Sequence, residues 1–491
     1  MIKHETDTSK WSLAIHRVSA TTAEVWVGTL YPTMTKPKRA RVRLELSNGK
    51  LRTRIIQKSE WQRPFRNTNQ RFWSLVSFRN LKPGAAYKVT FDRFVEATTD
   101  IIAAGWQHLR SGYFETLPQR IPKTHEKPFT IGLGSCYYDH RDGGQAAGAY
   151  QALYERGSDR VRPNITFLTG DQVYLDIGFD SLSRDPDEIR QRVADDYAQH
   201  WRSLGGILNR GGTWMLPDDH EYWNDYPFYD SLIPQLLALK LSSVRSAWGN
   251  ASKDAVKNIQ RSPVVETISI GSDLSICLAD LRSFRSKSRF LPDTPFKRLI
   301  DWAAGLTCTG VLVIPQPLIV EENKTERNLL SFKSQYTRLL QALGSSGHDI
   351  VLMSGDVHFG RIATCDIGLN GGRLIEIVSS PMSNLTYLNG VATSTPKHTP
   401  KRFPHKEIRI DGWQSNPVDY ASEFDVGTKK GRLFSAYPRS RTREHFMTVS
   451  FQRAAAGRLR LTARAWRVRE REGSKNLPKT DFAKPFTVNL H

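Results

Sequence analysis

Long apolar runs are missing from this chain of 491 residues: no window approaches the roughly eighteen continuous apolar positions of a membrane-spanning helix. The opening stretch, MIKHETDTSKWSLAIH, lacks an apolar h-region and a twin arginine, which predicts a protein that stays in the cytoplasm. Cysteine is scarce. Cys136, Cys277, Cys308 and Cys365 have no paired spacing, which excludes a disulfide framework and leaves room for a thiolate. There is no internal repeat and no low-complexity tract. Acidic residues are in deficit, 49 against 70 lysines and arginines, and the formal charge of +21 calls for an anionic partner. The arginines are spread along the chain rather than gathered in one block. That favours a generally basic surface and a phosphorylated substrate over nucleic acid.

What is present is an ordinary globular composition, 39% hydrophobic, in a chain long enough for two or three domains. Residues 1–117 read as all-β. Val42, Leu44 and Leu46 alternate with Arg41, Arg43 and Glu45, and Asn48-Gly49 then gives a hairpin signal. Leu81, Pro83 and Tyr87 have the spacing of the tyrosine corner of fibronectin-like sandwiches, so a small β-sandwich is expected. Residues 118–128, PQRIPKTHEKP, carry three prolines and little to bury, and read as a linker. From 129 to 491 short apolar runs alternate with helical patterns, the grammar of βα units. Asp185, Pro186 and Glu188 open one helix and Tyr336, Leu339, Leu340 and Leu343 share one face of another. The polar segment 381–427 reads as a lid or rim. The alternation from Arg458 slips at Ala465-Trp466 as a bulge would make it, in a charged edge strand.

The stretch IVLMSGDVHFG, residues 350–360, organises the rest: a strand buried on both faces stops abruptly at Asp356 and His358. By itself the pair also fits a turn carboxylate and a hydrogen-bonded histidine. The same grammar recurs, however, at Cys136, at Asp171, Tyr174 and Asp176, and at Asp218, Asp219, His220 and Glu221. It recurs again at Asp280, Arg282 and Arg285, and at Gln316. Strands that are neighbours in one sheet would bring these donors to one rim, where so many carboxylates need a cation between them. Two metals explain the crowd better than one.

These residues resemble the PhoD-type alkaline phosphatases and phosphodiesterases, a branch of the calcineurin-like metallophosphatases. The resemblance rests on GSC (134–136), GDQVY (170–174), DDHE (218–221), D-x-R-x-x-R (280–285) and SGDVH (354–358), all in order. It implies an α/β fold, two packed mixed sheets flanked by helices, behind a small N-terminal β-sandwich. It also implies hydrolysis of a phosphate monoester or diester by in-line attack of a metal-bridging hydroxide. Asp171 would be the shared carboxylate, with Cys136, Tyr174 and His358 on the first metal and Asp219 and Asp356 on the second. The resemblance implies ferric iron and calcium, other divalent ions being compatible. It casts His220 as the group that helps the leaving group depart and Arg282 as the phosphate-binding arginine, with Asp218, Asp280 and Arg285 in supporting places. The absence of a twin arginine points away from cell-surface polymers and toward cytosolic phosphoesters. The alternative reading is a non-catalytic basic binding protein on a degenerate metallophosphatase scaffold. Against it stands the intact donor set.

Overall fold

A computed structural model of the chain describes residues 7–46, 48–66, 68, 70–96, 104–140, 142–230, 234–322, 327–368, 370–385, 399–421, 444–454 and 457–491. The alternating segments of its first part pair into two antiparallel sheets. They are β1 (Ser12–Val18), β2 (Ala23–Thr29), β3 (Arg39–Glu45), β4 (Leu51–Gln57), β5 (Phe72–Phe78), β6 (Ala86–Val95) and β7 (Gly105–Glu115). One sheet has the order β1-β2-β5 and the other β4-β3-β6-β7. In β3, Ala40, Val42 and Leu44 are buried while the residues between them are not, the two-residue period of a strand with one face on a core. The Lys82 N–H donates to Tyr87 Oη at 2.8 Å, so the tyrosine corner forms as the spacing predicts. The stretch 118–128 is pinned rather than free. Ile121 is buried in the core, and Asp273 accepts from its N–H at 2.9 Å and from Arg120 at 2.8 Å. One apolar residue among prolines has no period, so its burial is not visible in the sequence.

Beyond residue 128 the βα grammar holds. β8 (Phe129–Gly134), α1 (Gln145–Arg156), β9 (Ile165–Thr169), α2 (Pro186–Ser203), α3 (Gly205–Leu208), β10 (Gly212–Leu216) and α4 (Ser242–Ala255) form one half. The other half comprises β11 (Val265–Ile270), β12 (Leu274–Ala279), α5 (Asp293–Ala304), β13 (Thr309–Val313), α6 (Lys333–Gly344), β14 (Ile350–Ser354), β15 (Arg361–Ile367) and β16 (Gly372–Val378). Three two-residue strands come next, β17 (Arg402–Phe403), β18 (Asn416–Pro417) and β19 (Asp419–Tyr420). The chain closes with β20 (His445–Arg453), β21 (Leu459–Glu472), β22 (Leu477–Thr480) and β23 (Phe486–Leu490). Asp185 caps α2 through the Asp187 N–H at 2.8 Å, ahead of Pro186, as the sequence predicts.

Two seven-stranded mixed sheets result, β10-β9-β8-β20-β21-β22 with β23 also on β21, and β11-β12-β13-β14-β16-β15-β19. Ile131, Leu133, Phe167 and Leu216 share one apolar core with Ile276, Val313, Met353 and Ile377, so the sheets meet face to face. Alternate residues look the other way. Leu168 and Met215 pack with α1, α2 and α4, while Cys277, Leu312 and Leu352 pack with α5 and α6. This is the expected layered α/β core. The sandwich is joined to its helical layer, where Trp26 meets Trp201 edge-on at 5.6 Å and donates to the Asn258 carbonyl at 3.1 Å.

Three expectations change. The donor-bearing strands do not neighbour one another in a single sheet: β8, β9 and β10 belong to the first and β12, β13 and β14 to the second. β21 is no edge strand, because β20 lies on one side of it and β22 and β23 on the other. Its phase slip is genuine against β22, where pairing shifts between Trp466 and Arg471, but its register with β20 is unbroken. In the segment 381–427, Phe403, Ile408, Ile410 and Trp413 pack into the apolar layer of α6. They are core, not rim, and residues 386–398 and 422–427 of the expected lid lie outside the described residues. Among the described residues no helix is long and apolar enough to cross a membrane.

Candidate metal centre

Cys136, Asp171, Asp218 and Asp356 each stand two residues beyond the end of a strand, β8, β9, β10 and β14 respectively. Three loops come from one sheet and one from the other, and they meet where the sheets' carboxyl ends face each other. Sharp turns make this possible. Cys136, Asp171, Asp356 and His358 all adopt left-handed backbone, with φ of +55°, +57°, +69° and +54°. Such a conformation costs a residue with a β-carbon about 1–2 kcal/mol, and it concentrates at sites where geometry is imposed for function. The loops also stitch to one another: the Cys136 N–H donates to the Gly170 carbonyl at 3.0 Å and the Tyr137 N–H to the Asp171 carbonyl at 2.7 Å. At Gly355 a β-carbon would lie 2.1 Å from Ser135 Oγ, and at Gly170 it would lie 2.6 Å from Asp218 Cβ. Only glycine allows these approaches.

The donors form three overlapping groups, each with its ligand atoms within 4.8 Å: Cys136, Asp171 and His358; Asp171, Asp219 and His220; Asp218, Asp219 and Asp356. Asp171 is common to the first two and Asp219 to the last two. Asp171 Oδ2 lies 3.4 Å from Cys136 Sγ, and Tyr174 Oη lies 3.4 Å from His358 Nε2, so the phenol joins the first group. Asp218, given only a supporting place from the sequence, comes closer than that. It sits in the third group, where its Oδ1 takes the Arg282 Nε at 2.5 Å and its Oδ2 has no hydrogen-bond partner. Arg282 is fully buried, with Nη1 donating to the Tyr226 carbonyl at 3.0 Å and Nη2 lacking a hydrogen bond. Asp280 and Arg285 do not reach the donors. Asp280 accepts from the N–H groups of Arg282 and Ser283, shaping the turn that presents Arg282. Arg285 donates to Gln316 Oε1 at 2.7 Å, and Gln316 in turn holds Asp356 Oδ2 at 3.1 Å.

Two supports had no role assigned from the sequence. Glu221 is fully buried and accepts from the N–H groups of Asp171, Gln172 and Asp218 at 3.0, 2.7 and 2.9 Å, clamping two donor loops together. The signal was there, since Asp218 and Glu221 form a capping box. Asn384, whose Oδ1 sits 2.8 Å from His358 Nδ1, carries no signal because it lies in a polar stretch without pattern. Asp176, grouped with Asp171 and Tyr174 in the sequence, holds His220 Nδ1 at 2.7 Å.

The charges are unevenly matched. Burial holds His358 down to about 4, so its ring is neutral at pH 7 and free to donate a lone pair. Burial opposes charge on His220 as well, but Asp176, Asp219 and Asp171 outweigh it and raise its pKa well above the usual range. Burial pushes Asp171, Asp218 and Asp356 up, and drives the Cys136 thiol well up with help from Asp171 and Asp356. Asp219 goes down in spite of burial, because Arg282 and His220 face it. Four carboxylates, a thiol and a phenol thus crowd against one guanidinium and one imidazolium. Asp218 Oδ2 and Asp219 Oδ1 are buried without a hydrogen-bond partner, the mark of a place built for additional positive charge. The donor set fits a pair of metal ions.

In sequence no family model matches this chain, and no curated protein matches it either. In structure it is similar to PhoD, with a TM-score of 0.58 at 13% identity, covering 96% of this chain and 91% of that one. It is also similar to a purple acid phosphatase isolated from yellow lupin (Lupinus luteus) seeds. There the TM-score is 0.53 at 12% identity, over 97% of this chain and 73% of that one. At such identities what is shared is the fold.

Proposed function

We propose that this chain is a metal-dependent phosphoester hydrolase acting on a phosphate monoester or diester. The observation that carries the reading is the double sharing of carboxylates, Asp171 between two donor groups and Asp219 between two. Cys136, Asp171, Tyr174 and His358 would hold one metal, and Asp219 and Asp356, with Asp218 beside them, a second. Thiolate and phenolate suit ferric iron, and the all-oxygen set suits calcium. When bound, such a pair would supply activated water near neutral pH and offset phosphate charge. The chain's own residues do the rest. His220, protonated and with Nδ1 fixed by Asp176, offers Nε2 to deliver a proton to the departing oxygen. Arg282, anchored through Nε and Nη1, has Nη2 left to meet charge that builds on phosphorus-bound oxygens.

Assays with p-nitrophenyl phosphate and bis-p-nitrophenyl phosphate test this: turnover on at least one, abolished by chelation and restored by metal, is expected. Metal-loaded protein that turns over neither ester contradicts it, and favours the binding-protein reading. In iron-loaded protein Tyr174→Phe is expected to abolish a visible charge-transfer band while the fold survives. An iron-loaded wild type without colour would show that Tyr174 is not a ligand.

Metal removal should also change how stability depends on pH. Carboxyls that burial raises bind more protons in the folded chain than in the unfolded one, so their contribution falls as pH rises. His220, with its raised folded pKa, acts in the same direction. His358 acts in the opposite one, adding stability between about 4 and its ordinary 6.5. Above that window only the first effect is left. Metal-free protein is expected to lose Tm as pH rises above about 6.5, and metal-loaded protein to hold its Tm over that range. A metal-free Tm that rises over the range would contradict the charge imbalance.

A further inference from the structure

A buried ionic chain runs from His358 to the far end of the closing hairpin. His358 Nδ1 faces Asn384 Oδ1 at 2.8 Å; an amide oxygen only accepts, so the ring's proton sits on Nδ1 and the Nε2 lone pair is left toward Tyr174 and Cys136. The Asn384 N–H donates to Glu444 Oε1 at 2.8 Å. Glu444, 1% exposed, gives its other oxygen to Arg469 Nε. Arg469 goes on to Asp142, through Nη2 to Oδ1 at 2.8 Å and through Nη1 to the carbonyl at 3.0 Å. It also reaches Ser383 Oγ at 3.4 Å. Residues 382–384 are laced to the other donor loop: the Met382 N–H donates to the Ser135 carbonyl at 2.8 Å and the Ser383 N–H to the Cys136 carbonyl at 3.1 Å. Asp142, 1% exposed, lies beyond Cys136 and accepts from Tyr137 Oη at 3.4 Å.

We propose that Asn384 and Glu444 are positioning residues for His358, with Arg469 the cation that locks both against the Cys136 loop. A triad of two carboxylates and one guanidinium is a poor way to hold a fold together, because desolvation offsets most of the attraction and apolar side chains do as well. What such a triad does provide is a fixed hydrogen-bond direction. Here the direction ends on the one ring nitrogen that decides which lone pair faces the other donors. The loops of Cys136 and His358, more than two hundred residues apart in sequence, are thereby held at one spacing by a third segment.

The inference rests on reading His358 as a metal ligand, and the test separates the two. Metal-free full-length chain is titrated with zinc against a chromophoric chelator. Glu444→Gln keeps the shape but can accept from only one of the two donors, Asn384 N–H and Arg469 Nε, so one contact must break. Asn384→Leu removes the acceptor of His358 without touching a buried charge. Each is expected to weaken zinc binding about tenfold, and the double variant to be no weaker than Asn384→Leu alone, since both act through one imidazole. Wild-type affinity in a folded Asn384→Leu or Glu444→Gln chain overturns the proposal, as do losses that add in the double variant. If Glu444→Gln does not fold, Asn384→Leu alone decides, because a merely structural amide would leave zinc affinity unchanged. A wild type that takes up no zinc, iron or calcium would instead remove the metal-site reading on which the proposal stands.

Discussion

Asp171→Asn is expected to lower phosphoester turnover by about a thousandfold or more and to release metal from the protein. The carboxylate lies 3.4 Å from Cys136 Sγ through one oxygen and accepts the His220 backbone N–H at 3.4 Å through the other, and it is the side chain common to two donor groups. Asparagine keeps its size but halves its acceptor capacity and removes its charge. The fold should survive. Residue 171 has φ of +57°, a conformation asparagine tolerates better than most residues, and Glu221 still holds its N–H at 3.0 Å. Circular dichroism on the same sample separates a lost site from a lost structure. A folded Asp171→Asn chain with full kcat and a full complement of metal would show that this carboxylate is shared by nothing.

His220→Gln should lower kcat by about a hundredfold to ten-thousandfold, with metal content close to wild type. The size should depend on the ester. A p-nitrophenolate leaves without help, whereas an alkyl or phenyl oxygen needs a proton, so the loss is smallest for the first and largest for the second. Equal losses across leaving groups would deny His220 the acid role. Asp176 supplies the pH signature. It is the largest of the carboxylates that raise His220, and Asp176→Asn removes that support. The imidazolium then gives up its proton at lower pH, so the alkaline limb of the pH–rate profile is expected to move to lower pH. A limb that stayed in place, or moved to higher pH, would mean that another group controls it.

Much of this was visible in the sequence because a buried strand must be apolar and a ligand loop must not be. Each switch from one to the other, at Ser135, Gly170, Pro217 and Gly355, marked the end of a strand and the start of a donor loop. The sandwich was legible for a similar reason, since a tyrosine corner needs Leu81, Pro83 and Tyr87 at fixed spacing. What the sequence concealed was partnership across distance. Nothing local says whether β12 lies beside β8 or faces it from a second sheet, because both arrangements need the same apolar strands. The supporting residues were concealed too. Asn384 and Glu444 act through hydrogen bonds to residues far along the chain, and no period in their own neighbourhood reports that. The arginines of β21 show how charge misleads. Arg458 and Arg460, read as charge on an edge strand, are exposed, but the strand is flanked on both sides, and further along it Arg467 and Arg469 are buried and matched to Asp481, Glu444 and Asp142.

Elemental analysis of the purified full-length chain, expressed with iron and calcium supplied, tests the central claim most directly. The converging loops predict about two tightly held ions per chain, retained through dialysis against buffer without metal and lost in Asp171→Asn. A folded wild-type chain that retains none after iron and calcium were supplied would mean that the crowd of buried carboxylates is satisfied by protons alone, and that no dinuclear centre exists here.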